Sequence, residues 1–497
     1  MSTAETMQLL KAALATPNGD LNKAISTASN ILAYDLQAPA KNLYPVLTPL
    51  RNILPRVKGK GGVATRWKKI SALTGSGYDA MPWVPEGQRA GQMNYSAVDV
   101  AASYMTIGEE TQATYEAINA AIGFEDLEAT NSLRLLQKMM IKEEHALLGG
   151  NTSIALGVTP TPTLAAAGSG ATLPSLTYSV ICVALTYEGL KNSSLANGVA
   201  TNLTVTGADG KTFALSGGSA NKSTAATQAV TLGQTLTATV ATVQGALGYA
   251  WYTGAAGSEK LEAITSVNTV AFSAPLAGIY QAATAVTADN SRNASYAYDG
   301  LLSFALNAGN GAYYNAFATG AKLTASGKGS VVEIDNMLQS LWDNYQVSPT
   351  HLFVNSQQLN DITTKCLTSG TYPLLYFRGN ETGAQDTSGK GGYSLTANGA
   401  IRWYFNPFGN TGQGSVIQII IHPTLPKGTI LAHCAELPMQ YQNDEVPNVA
   451  EVHTRQDYYQ IDWPIVTRAR QKGVYAEEVL ACYAPFALGV ITNITPG

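Results

Sequence analysis

Leu176-Thr-Tyr-Ser-Val-Ile-Cys-Val-Ala-Leu185 begins in alternation and ends in an unbroken apolar run, the pattern of a strand that passes into a core. It lies inside a stretch of almost no charge. From Pro160 to Asn290, 131 residues carry nine charged side chains, whereas the other 366 carry 55. Alternation recurs at Asn202–Thr206, Thr235–Val243, Tyr249–Thr253 and Thr269–Ser273, with turns such as Ala208-Asp-Gly210 between. Short strands at fairly even spacing predict a β-sandwich, and Trp251 resembles the core tryptophan of immunoglobulin-like domains without their cysteine pair. Neither flank reads as a complete domain. Residues 160–290 are therefore read as a domain inserted into a loop, and 1–159 and 291–497 as one continuous host fold.

Working outward, the host is α+β. Residues 37–57 hold Pro39, Pro45, Pro49 and Pro55 and read as an extended arm running over a surface and onto a neighbour, after a short helix at Glu5–Leu14. Val63–Ile70 and Met93–Val100 form a long hairpin with an irregular tip. An isolated hairpin is marginal in water, so this one is expected to pack on another chain, with Trp83 and Arg89 as anchors. Gly108–Leu148 reads as helical, broken at Gly123, with Phe124, Leu127, Leu133, Leu136, Met140 and Leu147 on one face. Gly149-Gly-Asn151 stops it. Val331–Tyr345 is a second helix, Ser348–Asn355 a buried strand, and Gln357–Lys365 a third helix. Further strands are expected at Ala400–Phe405, Val416–Ile421 and Gly428–Ala432.

The net charge of −4 conceals an asymmetry. Residues 1–70 carry +7, leaving about −11 for the rest. Between Lys41 and Ile70 stand eight basic residues and no acid. That is either a solvated basic arm or one that reaches an acidic partner, nucleic acid or another copy. The four scattered cysteines fit buried free thiols in a reducing compartment. No signal peptide or membrane-length apolar run is present.

Catalytic signals are sparse. Gly327-Lys328 is followed by Gly329, which excludes a phosphate-binding loop, and neither a nucleophile elbow nor a zinc-protease motif occurs. His422, His433 and Cys434 are the one cluster to weigh as a metal site. Ordinary packing is the simpler reading, because adjacent strand residues face opposite ways. Glu143-Glu-His145 reads as a solvated helix end and Asp444-Glu445 as a turn. No catalytic, cofactor or metal site is expected.

The order of parts resembles the tailed-bacteriophage major capsid proteins of the Hong Kong 97-type fold. The residues carrying the resemblance are Tyr104-Met-Thr-Ile-Gly-Glu-Glu110, Glu143-Glu-His-Ala-Leu-Leu-Gly-Gly-Asn151, Ser348–Ser356, Pro426–Leu431 and Ala484–Ile491. The resemblance implies an N-terminal arm (1–60), an E-loop (61–103) and a peripheral domain with a spine helix (104–159). After the insert (160–290) come an axial domain (291–425) and returning strands of both domains (426–497). It implies self-assembly into pentamers and hexamers around double-stranded DNA, in the capsid of a virion put together in the host cytoplasm. Arg51, Arg56, Lys58, Lys60, Arg66, Lys68, Lys69, Trp83 and Arg89 become the expected inter-subunit contacts. Some relatives cross-link a loop lysine to a neighbour; Lys60, Lys68 or Lys69 could serve, but no motif fixes partners. No N-terminal coiled coil is read, so the expected partners are a separate scaffolding protein and a portal, with a decoration protein as a further candidate. The alternatives are an encapsulin-type nanocompartment and a glycan-binding phage surface adhesin.

Overall fold

The computed structural model describes residues 44–74, 83–207, 209–368, 401–408, 416–437 and 448–497, with 4, 7 and 8. Of the expected Glu5–Leu14 helix only residues 7 and 8 are described, both helical, and residues 37–43 of the arm, the hairpin tip at 75–82 and the Asp444-Glu445 turn lie outside the described residues. From residue 44 onward the elements begin with α1 (Pro49–Ile53), β1 (Arg56–Lys58), β2 (Ala64–Thr74), β3 (Asn94–Ser103) and β4 (Met105–Thr114). Next come α2 (Tyr115–Ala120) and α3 (Leu127–Gly149).

Residues 105–114 correct the helical expectation for the start of Gly108–Leu148. They form strand β4, and the helical stretch begins only at Tyr115, where the Thr114 hydroxyl accepts from Ala117 N. The α3 helix starts at Asp126, whose carboxylate accepts from Glu128 N and Ala129 N. It is about 34 Å long. It buries Leu135, Met139, Glu143 and Leu147, an i, i+4 row, while Leu133 and Leu136 face out. The expected apolar face is therefore out of phase, because two buried glutamates share the inward side.

The middle of the chain continues with β5 (Thr163–Ala167), β6 (Leu176–Leu185), α4 (Tyr187–Asn192), β7 (Asn202–Thr206) and β8 (Thr212–Ser216). It goes on through β9 (Ala226–Val230), β10 (Thr235–Thr239), β11 (Gly248–Gly254), β12 (Lys260–Thr265) and β13 (Thr269–Phe272). Two sheets result, β13-β10-β5 and β12-β11-β6-β9. Alternate residues of β6 and β11, including Val180, Cys182 and Trp251, meet Leu236 and Ala238 of β10 in a shared core. Trp251 is fully buried, its Nε1 donating to Thr265 Oγ1 at 2.8 Å. Lettered A to G without the β7–β8 hairpin, the strands partition as ADG and CBEF. Immunoglobulin domains partition as ABED and CFG. The likeness to them thus extends to two facing sheets and a buried tryptophan, and not to strand order.

Gly150 N donates to Ala146 O at the end of α3, while Gly300 N donates to Gly150 O and Asn293 N to Asn151 O, both at 2.8 Å, so the chain leaves and returns at one place. Glycine is required there: a Cβ on Gly150 would run into Tyr298 O, and one on Gly300 into the backbone of Leu148 and Gly149. Asn151, Asp289, Ser291 and Asp299 tie the two crossing strands with side-chain hydrogen bonds.

The remaining elements are α5 (Leu301–Leu306), β14 (Tyr313–Ala316), α6 (Val332–Tyr345), β15 (His351–Val354), α7 (Ser356–Thr368) and β16 (Trp403–Phe405). They end with β17 (Val416–Ile421), β18 (Ile430–His433), β19 (Ala450–Asp462), β20 (Ala469–Cys482) and β21 (Leu488–Thr492). A mixed six-stranded sheet runs β14-β21-β18-β15-β17-β16. Strand alternation gives it two buried faces: Leu352, Val354 and Ile430 pack under Met337, Leu338 and Leu341 of α6, and Phe353, Leu431 and Val490 face the core around α5 and α3. The other large sheet, β1-β19-β20-β4, carries α3 on one side through Leu135, Met139, Val474 and Ala476. The fold is α+β, as read from the sequence. All four cysteines are buried and free.

Candidate interaction surface

Arg51 and Arg56 are the first of the expected contact residues, and the structure places both within their own chain. Pro49 starts the one-turn helix α1, and Thr48 supplies no side-chain cap. Glu144, 1% exposed, replaces it from α3: its carboxylate accepts from Leu50 N at 2.9 Å and Arg51 N at 2.8 Å. These are donors that a helix start leaves unpaired, and a negative group suits them. His422 Nε2 lies 2.7 Å from the same carboxylate, while Thr424 N donates to its Nδ1 at 3.3 Å. The preceding residue, Glu143, is fully buried and accepts from Arg51 Nε at 2.7 Å, from Arg56 Nη1 and from the Tyr458 hydroxyl. Arg56 Nη2 reaches Asp457 at 2.7 Å and buried Glu478 at 3.4 Å, and the Tyr298 hydroxyl donates to Glu478 at 2.8 Å.

Leu50 and Leu54 enter the core beside Leu147 and Leu148, and β1 adds a parallel edge strand to β19. Residues 48–58 thus belong to the body of this chain, which corrects the arm reading for that part. Glu143 and Glu144 are likewise buried, not a solvated helix end. Burial, followed by the nearby Glu143 charge, raises the Glu478 carboxyl to about 8, against the opposing pull of Tyr298 and Arg56. The Arg56 guanidinium is raised above its ordinary value: Glu143, Glu478 and Asp457 together outweigh the larger single effect of burial.

The other expected residues lie on or near the β2–β3 hairpin. Its strands pair Ala64 with Ser103 through Thr74 with Asn94, with a bulge after Ile70. Arg66 and Lys68 are exposed, and Lys69 is half-buried at the root. Trp83, 86% exposed, and Arg89 stand at the near side of the tip. Lys58, at the end of β1, and Lys60, just after it, are exposed. Tyr95 and Val98 are exposed on β3 as well. The hairpin touches the body at its root, where Trp67 meets Tyr483 edge-on at 5.2 Å between centroids. A 410 Å³ cavity separates that root from the body, lined by Trp67, Lys69, Val100, Phe304 and Tyr483 among others. Apolar exposure recurs on α3 at Leu133, beside it at Ile122, and at the β19–β20 tip at Ile465 and Val466. Sheet and helix faces of this kind are what protein neighbours cover.

His422 turns to Glu144, whereas His433 packs against His351 and Phe353 with both ring nitrogens unbonded and is pushed down to about 3 by burial. Among the described residues no three His, Cys, Asp or Glu side chains converge to hold a metal ion, and no helix is long and apolar enough to cross a membrane. Sequence reading missed Glu143, Glu144, Glu478, Tyr298 and Tyr458. The available signal was that both glutamates interrupt the apolar side of α3 just before it ends in Leu147-Leu148.

No protein-family model matches the chain, and no curated protein matches it either. In overall chain path it is similar to shell proteins of known structure. The capsid of a native GTA particle aligns at 10% identity with TM-score 0.43, over 97% of this chain and 100% of that one. The capsid of Myoviridae phage XM1 aligns at 8% identity with TM-score 0.42, over 95% and 99%. The holo-SrpI encapsulin complex from Synechococcus elongatus PCC 7942 aligns at 9% identity with TM-score 0.41, over 95% of each chain.

Proposed function

We propose that the chain is a shell subunit of the Hong Kong 97 type, the major capsid protein that forms pentamers and hexamers around packaged double-stranded DNA. The observation carrying this reading is the β2–β3 hairpin. Two strands, of eleven and ten residues, stand off the body, joined to it at the root and solvent-facing over most of β3. A two-stranded sheet alone is marginal in water. A neighbouring copy that covers it supplies what is missing, and symmetry repeats the contact at every subunit. Lys58, Lys60, Arg66, Lys68, Lys69, Trp83 and Arg89 are proposed as the inter-subunit contacts on this surface. In this reading α3 is the spine of a peripheral domain shared with β4, β19 and β20. The six-stranded sheet with α6 and α7 is the axial domain, and the two-sheet unit between Gly150 and Gly300 is an insertion. No catalytic step is assigned. A scaffolding protein and a portal belong to the same proposal.

An encapsulin-type compartment would use the same surface to enclose a protein. Negative-stain imaging and content analysis of particles purified from the native source separate the two. Shells holding double-stranded DNA support the capsid reading. Shells with an enzyme cargo and no DNA replace it with the compartment reading, and the absence of shells sinks both.

A further inference from the structure

A cleft of 520 Å³ opens between the inserted unit and the host, a size that suits a bound group. Met105 and Ile107 of β4 and Lys142 and His145 of α3 form its host side, and Leu203 of β7 and Leu215 of β8 face them. Leu203 and Leu215 sit opposite one another, and Val205 and Phe213 pair next on the same face of the β7–β8 sheet. Leu203, Val205 and Phe213 are each 38% exposed, so the chain covers this apolar face only in part. Glu188 and Lys191 of α4 line the same cleft. Among the described residues neither side chain has a hydrogen bond or an ion pair, and Lys191 Nζ meets only the Tyr187 ring, at 5.9 Å. Burial, then the nearby Asp299 charge, holds the Glu188 carboxyl up at about 7, as befits a carboxylate that lacks a cation. The other polar groups are engaged: Lys142 pairs with Glu109, and His145 Nδ1 lies 2.9 Å from the Tyr187 hydroxyl.

Residues 83–89 of the hairpin carry the matching set. Gln88 N donates to Pro85 O at 3.1 Å with Gly87 at φ +78°, so a tight turn presents Glu86 and Arg89. Their side chains, too, have no hydrogen bond or ion pair among the described residues. Trp83 and Val84 precede them, both exposed. Turn and cleft thus hold complementary features: apolar groups, and an acid and a base three residues apart on each. We propose that residues 83–89 of one copy dock in this cleft of the next, Arg89 pairing with Glu188, Glu86 with Lys191, and Trp83 covering Leu203 and Leu215. The proposal rests on the shell reading and names where the hairpin lands.

Reach makes the occupant a second copy. The β3 strand spans about 30 Å from tip to root. Met105, in the cleft wall, stands two residues beyond that root. A paired strand of this length does not fold back on itself, so a chain's own turn stays away from its own cleft. Turn into cleft joins two different surfaces, a head-to-tail contact that closes into a ring when the rotation allows. Rings of five or six copies are the form the shell reading needs. Pairs enclosed between Trp83 and the two leucines lose water, so breaking one partner costs more than it would for an exposed pair.

The test is charge exchange in the full chain at a pH of about 8, where the Glu188 carboxyl is ionised, with assembly followed by light scattering and sedimentation. Arg89→Glu and Glu188→Arg should each raise the protein concentration needed for assembly by about tenfold or more, and the double variant should recover most of that loss. Single variants that assemble like wild type overturn the proposal and leave the shell reading standing, as does a double variant no better than the worse single. Wild-type protein that never assembles removes both. A second measurement does not depend on the charged variants folding. Arg89→Cys chains are mixed with Glu188→Cys chains, assembled and oxidised, and the linked peptides are mapped by mass spectrometry. A disulfide joining positions 89 and 188 of different copies supports the docking. Particles without it overturn the docking, and a small molecule retained in the native mass spectrum would then be the occupant of the cleft.

Discussion

At the scale of single residues, the molecule stakes most on charges it has buried. Glu143 is fully buried and depends on Arg51, Arg56 and Tyr458 for compensation. Removing one partner of such a set costs far more than the set contributes, because the remaining charge is stranded. Arg56→Met should lower unfolding free energy by about 3 kcal/mol in urea titration, whereas Lys58→Ala, two residues on and exposed, should change it by less than about 0.5 kcal/mol. A second case is neutral. Asn268 and Asn493 pair through Asn268 N to Asn493 Oδ1 at 2.8 Å and Asn493 Nδ2 to Asn268 Oδ1 at 3.0 Å. Asn493 also donates to Phe317 O and sits at φ +62°. Asn493→Ala leaves buried groups unpaired in a backbone shape that alanine resists, so thermal or urea unfolding should show a loss of about 2 kcal/mol. Asn493→Gly removes the same side chain but accepts the backbone, and should lose less.

Among elements, the hairpin and the α1–β1 segment divide the basic stretch between them. Arg51 and Arg56 are spent on the body; Arg66 and Lys68 face water on β2. Charge reversal at Arg66 and Lys68 should therefore leave the melting profile of the subunit unchanged while reducing assembly in light scattering. Intact assembly by that variant would remove the hairpin from the interface. What could be read in the sequence follows the range of the forces. Asn202–Thr206, Leu176–Leu185 and Val416–Ile421 form strands with the bounds that alternation and apolar runs predict, because period-two burial is local. The α6 helix was legible for the same reason at period 3.6. Residues 105–114 were not: they alternate only weakly in burial and lead directly into helix, so the strand is set by its pairing with β20, more than 350 residues away. The buried glutamates were illegible because their partners come from residues 50, 56, 422 and 458. The metal question posed by His422 and His433 turned on the same point, since Glu144 takes one of the two.

For the whole molecule, the crossing at Gly150 and Gly300 makes the low-charge middle a unit with its own core, closed by hydrogen bonds between its two ends. A fragment spanning 151–299 should fold alone, with a β-type far-ultraviolet spectrum and a cooperative melt; a non-cooperative, disordered fragment would deny it independence. Tyr187 and Leu247 extend from this unit into the central core, so the fragment should be less stable than the same residues in the full chain. The proposed assembly would account together for the low overall charge, 13%, and the apolar exposure on the hairpin, α3 and the β19–β20 tip, as a surface covered by copies of the chain. The most direct test is the mass of the full chain by sedimentation velocity, with and without a candidate scaffold. Assemblies of five or six copies, or shells in the megadalton range, are what the account predicts. A 52.2 kDa monomer under every condition would contradict it.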